Sequence, residues 1–201
     1  RYYTVPQKAL NNRQLYIPRG KTLGGSSAVN AMCYTRGHQS DYDHWAALGN
    51  KGWGFDDVLP VFKRSEHYEG GEGPFHGTGG KLNIADLRFT HPVSSAFIKA
   101  GVEAGHPATD DFNNDVQEGV GMYKVNQKDG ERCGVSKAYL HPVMDRPNLT
   151  VLTSALVNRI LFEGKRAIGV EVEHNGQIRT LKADNEVILS GGAINSPQVL
   201  K

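Results

Sequence analysis

Two glycine pairs constrain this chain more than any other feature: Gly24-Gly25, followed by Ser26-Ser27-Ala28, and Gly191-Gly192, followed by Ala193. Paired glycines let the backbone adopt positive φ and let a flat or charged group approach without meeting a Cβ. Where such a turn leads into a helix, the first amide N–H groups have no internal partner and favour negative charge. Either pair alone reads as a turn that needs positive φ, because short glycine motifs are weak evidence. Glycine reaches 24 residues and is clustered rather than periodic. That distribution argues for tight turns and close backbone approach, and against collagen or a low-complexity linker.

The 201 residues suffice for one good-sized domain or parts of two, and a hydrophobic content of 38% with 22% charged residues belongs to a soluble globular chain. The formal charge of +2 is scattered without a basic stripe, so nucleic acid is not an expected partner. Cys33 and Cys133 are the two cysteines, and neither belongs to a CxxC or a Cys/His cluster. A disulfide framework and a metal site are therefore not expected, and a reducing compartment is the simpler reading. No apolar run approaches the ~20 residues of a membrane span, and no leader peptide is expected. The chain opens on Arg1 and stops at Lys201, as expected of an internal piece of a longer protein.

Residues 1–22 read as an extended, proline-punctuated entry. A helix is expected from Ser40, with Asp43 three residues on and Tyr42, Trp45 and Ala46 facing inward. A second places Phe55, Val58, Leu59 and Phe62 on one stripe, with Pro60 near its first turn. Residues 69–80 read as a glycine-rich loop with little to bury. A third helix opens at Pro92, with Val93, Ala96, Phe97 and Ala100 inward. Residues 108–133 read as irregular, with Asp110-Asp111-Phe112-Asn113 in a solvated loop, before a short helix over 136–144. The last third is different. Branched residues over 149–153 and 156–162, alternation over 169–173 and the Asn175-Gly176 turn signal predict a β-meander returning over 177–183. A buried-type strand over 186–190 then leads into the second glycine pair, with Ser196-Pro197 as the cap and first turn of a helix.

Arg19-Gly20-Lys21-Thr22-Leu23-Gly24-Gly25-Ser26-Ser27, with Asn30, Tyr34, Gly37 and Asp43 at their spacings, resembles the first signature of the glucose–methanol–choline (GMC) oxidoreductases. Gly192-Ala193-Ile194-Asn195-Ser196-Pro197-Gln198-Val199-Leu200 resembles the start of that family's second signature, whose continuation would lie past Lys201. Pro147-Asn148-Leu149, Ala167-Ile168-Gly169-Val170 and Glu186-Val187 also resemble the family. The likeness runs through essentially the whole chain in the expected order, and it is nearest to the choline and primary-alcohol dehydrogenase branch.

The resemblance implies an α/β (α+β) fold: part of a Rossmann-like FAD-binding domain with a β-meander, plus part of a substrate cap. Residues 1–84 would be the flavin-contacting segment with lid helices, 85–148 part of the cap, and 149–201 the meander and strand–glycine turn–helix. Arg19, Gly20, Lys21 and Leu23 would lie near the dinucleotide. Gly24, Gly25 and Ser26 would bring backbone against the isoalloxazine and pyrophosphate. Asn30, Ala31 and Met32 would run along the ring, Val157 would meet the adenine, and Gly191, Gly192 and Ala193 would sit near the ribose and phosphates. Some members carry, at the position of Asn30, a histidine that bonds covalently to the flavin. Asparagine has no nucleophilic ring nitrogen, so non-covalent FAD is expected.

The reaction implied is hydride transfer from an alcohol carbon to flavin N5, with choline or a primary alcohol as substrate and the electron acceptor left open. A histidine takes the hydroxyl proton. The resemblance puts that histidine after Lys201 and the GxGxxG fingerprint before Arg1, so no catalytic residue is assigned here and the piece alone is expected to be inactive. A cytoplasmic location, or one peripheral to the inner membrane, is expected. Among the eight histidines, His38 could border a substrate entrance, while His44, His67, His91, His106, His141 and His174 read as solvated or capping and His76 as structural. Trp45 and Trp53 read as packing residues rather than a cation cage, and both cysteines as inert. A hydroxynitrile lyase with structural FAD, or a non-catalytic remnant, are the competing readings. The Asn30 argument predicts that denaturing the flavin-loaded full-length protein releases its yellow chromophore into the supernatant; flavin retained in the washed precipitate would contradict it.

Overall fold

The structure, a computed structural model, describes residues 2–201. It divides into two compact units, Arg1–Arg146 and Pro147–Lys201. In the first unit β1 (Tyr2–Tyr3) pairs antiparallel with β2 (Tyr16–Ile17), in the register Tyr2 opposite Ile17. After the first glycine pair come β3 (Cys33–Tyr34) and helix α1 (Gln39–Ala47). The cap of α1 is His38, two residues ahead of the expected Ser40. Its Nδ1 accepts the Ser40 N–H at 3.2 Å, and Asp41 Oδ2 accepts the His38 N–H at 2.8 Å. Asp43, the expected partner of that cap, instead accepts the Phe55 N–H at 2.9 Å and fastens the start of α2 (Phe55–Ser65).

The stripe Phe55, Val58, Leu59 and Phe62 is half-buried, as its spacing predicts. Tyr42 packs its ring against Trp45, Phe55 and Phe62, with centroids 5.4, 6.2 and 5.7 Å away. This aromatic cluster joins the two helices. Trp45 and Trp53 meet edge to face at 5.9 Å but remain substantially exposed, so they pack on the surface rather than in the core. Pro60 is the sixth residue of α2 rather than part of its first turn, and the missing N–H falls on the solvent side.

Strand β4 (Glu66–Tyr68) runs parallel to β5 (Leu82–Ile84), whose Ile84 is completely buried. The loop between them folds back on β4: the Tyr68 N–H donates to Gly77 O at 3.0 Å and the Gly80 N–H to Glu66 O at 2.9 Å. Its expected emptiness is therefore wrong, because His76 and Gly77 are buried. Helix α3 (Pro92–Glu103) does open at Pro92, but its expected inner face points outward, with Val93 68% and Phe97 73% exposed. The half-buried positions are Ile98 and Gly101. Gly101 decides the rotation, since a Cβ there would lie 2.9 Å from Val120 Cγ1. The closest approach of neighbouring chain, not the larger apolar residues, sets which side faces in.

The stretch expected to be irregular carries β6 (Lys124–Val125), which pairs with β3, and the hairpin β7 (Gln127–Lys128) and β8 (Glu131–Arg132). Asp129 and Gly130 turn that hairpin with φ of 53° and 79°. A π-helical turn, Ser136–Leu140, and a 3-10 turn, His141–Val143, follow.

In the second unit β9 (Ala155–Glu163), β10 (Arg166–His174) and β11 (Gln177–Lys182) form an antiparallel sheet with β10 central. Asn175 and Gly176 turn β10 into β11 with φ of 53° and 72°, as the dipeptide predicts. Val172 is its buried centre, while Leu156, Phe162 and Ile178 are exposed. Residues 149–153 and 186–190 form no strand, and Ile188 is 77% exposed. A buried-type apolar run needs flanking strands for its backbone, and among the described residues none lies beside it. Helix α4 (Gly192–Val199) starts at the glycine pair, four residues before the expected Ser196, and packs on β9.

Two glycines of the buried loop separate steric need from flexibility. A Cβ on Gly77 would stand 2.1 Å from Lys63 O, whereas one on Gly73 would meet nothing within 4 Å. Gly77→Ala should cost about 1–3 kcal/mol or more. Gly73→Ala should be neutral or stabilise by up to about 1 kcal/mol. Thermal unfolding of the two variants checks the contrast.

Candidate functional site

At the first glycine pair the chain makes a 3-10 turn, Gly25–Ala28, instead of the expected strand-to-helix junction. Gly24 and Gly25 have φ of 85° and 53°. The glycines have separate causes. A Cβ on Gly20 would lie 2.1 Å from Gly25 O, and one on Gly24 would lie 2.9 Å from Ser136 Oγ. Both positions therefore pack chain against chain. At Gly25 an added Cβ would meet nothing within 4 Å, so this left-handed residue turns bare backbone toward open space. Ser26 Oγ accepts the Gly20 N–H at 3.2 Å, which ties the two arms together. Arg19 and Leu23 are half-buried, and Lys21 is exposed.

Beyond the turn, Arg132 grips the chain. Its Nη1 donates to Ser27 O at 3.0 Å and to Asn30 Oδ1 at 2.6 Å, and its Nη2 donates to Asn30 O at 2.8 Å. Asn30 Oδ1 also accepts the Met32 N–H at 3.1 Å. Met32 has φ of 64°, unusual for a side chain of its size, and its carbonyl accepts the Asn126 N–H at 2.9 Å. The Met32 N–H is thus engaged by the Asn30 side chain, and Ala31 beside it is exposed. Sequence reasoning missed Arg132. The only signal was a long cation two residues past an Asp-Gly turn, which a solvated arginine would also give.

The other expected site residues lie in the second unit. Val157 is half-buried on β9 opposite Val172, and Gly191, Gly192 and Ala193 begin α4, with Gly192 at φ 83°. Because α4 packs on β9, that unit gathers its own candidates around one strand and one helix start.

A buried chain of alternating charge underlies the first unit. Glu66 has no solvent exposure. Its Oε2 accepts from Arg36 Nη2 at 2.8 Å, and its Oε1 accepts the Gly77 N–H at 2.8 Å and lies 3.1 Å from His76 Nδ1. His76 Nε2 in turn stands 3.0 Å from Asp111 Oδ2, within ion-pair range but off the axis of an aligned hydrogen bond. Arg36 Nη1 donates to Phe75 O at 2.6 Å, and the guanidinium lies 5.2 Å from the Phe62 ring centroid. Asn113 Oδ1 accepts the Arg36 N–H at 2.8 Å. Asp111 and Asn113 are therefore buried members of this network, not the solvated loop expected of them. His76 holds the structural place expected of it, stacked 4.3 Å from Tyr68.

The protonation states follow. Burial pulls the His76 pKa down, but the carboxylates of Asp111 and Glu66 outweigh it and raise the imidazole to about 9. Burial would raise Glu66, yet His76, the Gly77 amide and Arg36 hold it below the ordinary carboxylate range. Asp111 is lowered in the same way, against burial, by His76 and the Asn113 amide. Burial lifts the Tyr34 phenol to about 12, so it stays protonated.

His38, expected at an entrance, caps α1 and lines a cavity of about 20 Å³ with Arg36, Phe55, Phe75 and Phe112, room for about one water. His91 caps α3 through Nδ1, and His67 Nδ1 accepts the Gly79 N–H, as read from the sequence. Residues 6–201 match the model of the GMC oxidoreductase family. The chain belongs to that family. It is 45% identical over 99% of its length to an alcohol dehydrogenase [acceptor] of Pseudomonas putida, covering 37% of that protein. The mitochondrial choline dehydrogenase of Mus musculus is also 45% identical over 99% of the chain, which covers 33% of it. A FAD-dependent oxidoreductase from Chaetomium thermophilum superposes on 99% of the chain with a TM-score of 0.92 at 31% identity, and the chain covers 37% of that structure. This GMC chain thus spans about a third of the length of the curated relatives it matches.

The charge chain gives this GMC protein a defined pH window. The stabilising contribution of His76 is complete below its ordinary 6.5 and is lost as pH rises through about 9. That of the two carboxylates is complete above their ordinary 4.5 and 3.8 and is lost as pH falls through their lower folded values. Thermal unfolding should therefore show greatest stability between pH 4.5 and 6.5, with a decline into the alkaline range. Glu66→Gln should cost about 3–5 kcal/mol, because it leaves buried cations short of a partner. It should also move the alkaline decline to lower pH, since His76 loses one of its two carboxylates.

Proposed function

We propose that this chain is the flavin-contacting part of an FAD-dependent enzyme that oxidises CH–OH groups, with choline or a primary alcohol as substrate. The observation that carries the reading is Gly25: a left-handed residue whose bare backbone faces open space, in a segment otherwise packed chain on chain. A flat ring needs such a surface, and a side chain there would project into its place. The second unit, taken by itself, has a helix opened by Gly191, Gly192 and Ala193 whose first N–H groups can take phosphate oxygens.

In this reading Arg19, Gly20, Lys21 and Leu23 border the dinucleotide, and Gly24, Gly25 and Ser26 lie against ring and pyrophosphate. Asn30, Ala31 and Met32 follow the ring edge, and Val157 meets the adenine. FAD, when bound, would supply the two-electron oxidising chemistry for the alcohol carbon. The residues of this chain hold and orient the ring. Asn30, already holding Arg132 and the Met32 amide, leaves the cofactor non-covalent. The names of the alcohol and choline dehydrogenase relatives support the substrate class.

Anaerobic addition of substrate to the full-length protein tests the reading. Choline or a simple primary alcohol should bleach the flavin absorbance. Full-length protein that carries flavin but keeps its colour with choline and with every primary alcohol tried would overturn the oxidative assignment. Protein that purifies without flavin would overturn the site itself.

A further inference from the structure

This inference rests on the flavin reading above. Arg132 joins the end of the Asp129-Gly130 hairpin to a segment more than a hundred residues earlier, through three hydrogen bonds to Ser27 and Asn30. The segment it holds includes Met32 at positive φ, a shape that must be imposed by its surroundings. Two contacts impose it. Asn30 Oδ1 is shared between Arg132 and the Met32 N–H, so the oxygen that Arg132 holds in place is the one that orients the amide. Asn126, just ahead of the same hairpin, also donates its N–H to Met32 O. Arg132 has no carboxylate within ion-pair distance among the described residues, in contrast to Arg36, Lys124, Lys137 and Arg159. The acceptors of its hydrogen bonds are neutral oxygens of Ser27 and Asn30.

We infer that Arg132 is a positioning residue that locks residues 27–32 in their ring-bearing shape and carries a positive charge to the flavin, raising its affinity for electrons. Two physical effects are combined. The forked guanidinium fixes geometry because one planar group meets three oxygens at once. An unneutralised cation beside a group that gains negative charge on reduction favours the reduced form.

The two effects separate in Arg132→Gln and Arg132→Lys, made in the full-length protein. Arg132→Gln should weaken FAD binding at least tenfold, measured by flavin fluorescence on titrating apoprotein. It should lower the two-electron midpoint potential by about 30 mV, a tenfold change in the reduced-to-oxidised ratio. In the apoprotein, amide exchange over 28–32 should accelerate at least tenfold. Arg132→Lys keeps the charge without the fork, so the potential should return toward wild type while FAD binding and exchange stay impaired. Wild-type potential and wild-type FAD affinity in Arg132→Gln would overturn the inference. If that variant does not fold, Arg132→Lys decides: wild-type FAD affinity and exchange there would overturn it. Wild-type protein without flavin would instead defeat the reading on which the inference rests.

Discussion

Glu66 is the point on which the first unit depends. A fully buried carboxylate is tolerable only if its charge and lone pairs are all answered, and here they are answered by Arg36, His76 and the Gly77 amide. The network draws on three separate stretches of chain. Arg36 follows β3, His76 belongs to the glycine loop, and Asp111, beyond His76, belongs to the segment after α3. The loop over 69–80 is held through these charges as well as by Phe75, whose ring lies 6.4 Å from that of Phe55. Any shift of one member leaves another buried and unpaired, so the network specifies a single arrangement of three loops.

The glycine turn has its own supports. Gly20 and Gly24 are small because backbone and Ser136 press on them, while Gly25 is small because of its left-handed φ. Adjacent glycines can thus serve different ends. The rigid side of the turn is anchored by Ser27, whose hydroxyl donates to Gly24 O at 2.7 Å and accepts the Val135 N–H at 3.0 Å. At Gly25 an added Cβ would meet nothing within 4 Å.

Where local chemistry decides the structure, the amino-acid sequence was legible. Asn175-Gly176 made its hairpin, the stripe of α2 buried the residues that its period selects, and Pro92 opened α3. Reading failed where a distant segment decides. The rotation of α3 follows from Val120 pressing on Gly101, and the burial of Asp111 and Asn113 follows from His76 and Arg36. Helix starts were misplaced by a few residues because His38 and the second glycine pair, not the usual hydroxyl residues, stand at those ends. Of the candidate site, the order of glycines that marks the family was legible, and the side-chain support of the first glycine turn was not. Arg132 lies 102 residues from Asn30, and nothing local marks it.

Those long separations bear on how the protein is made. Arg36 waits for Asn113, 77 residues later, and Ser27 waits for Arg132, 105 residues later. At a translation rate of roughly 5–20 residues per second, the early segment stays unsupported for about 5–20 s while the rest is synthesised. Throughout that interval the turn around residues 24–32 has neither its hairpin nor Ser136 to lean on. The turn can be held in its final shape only after residues 127–136 have cleared the ribosome.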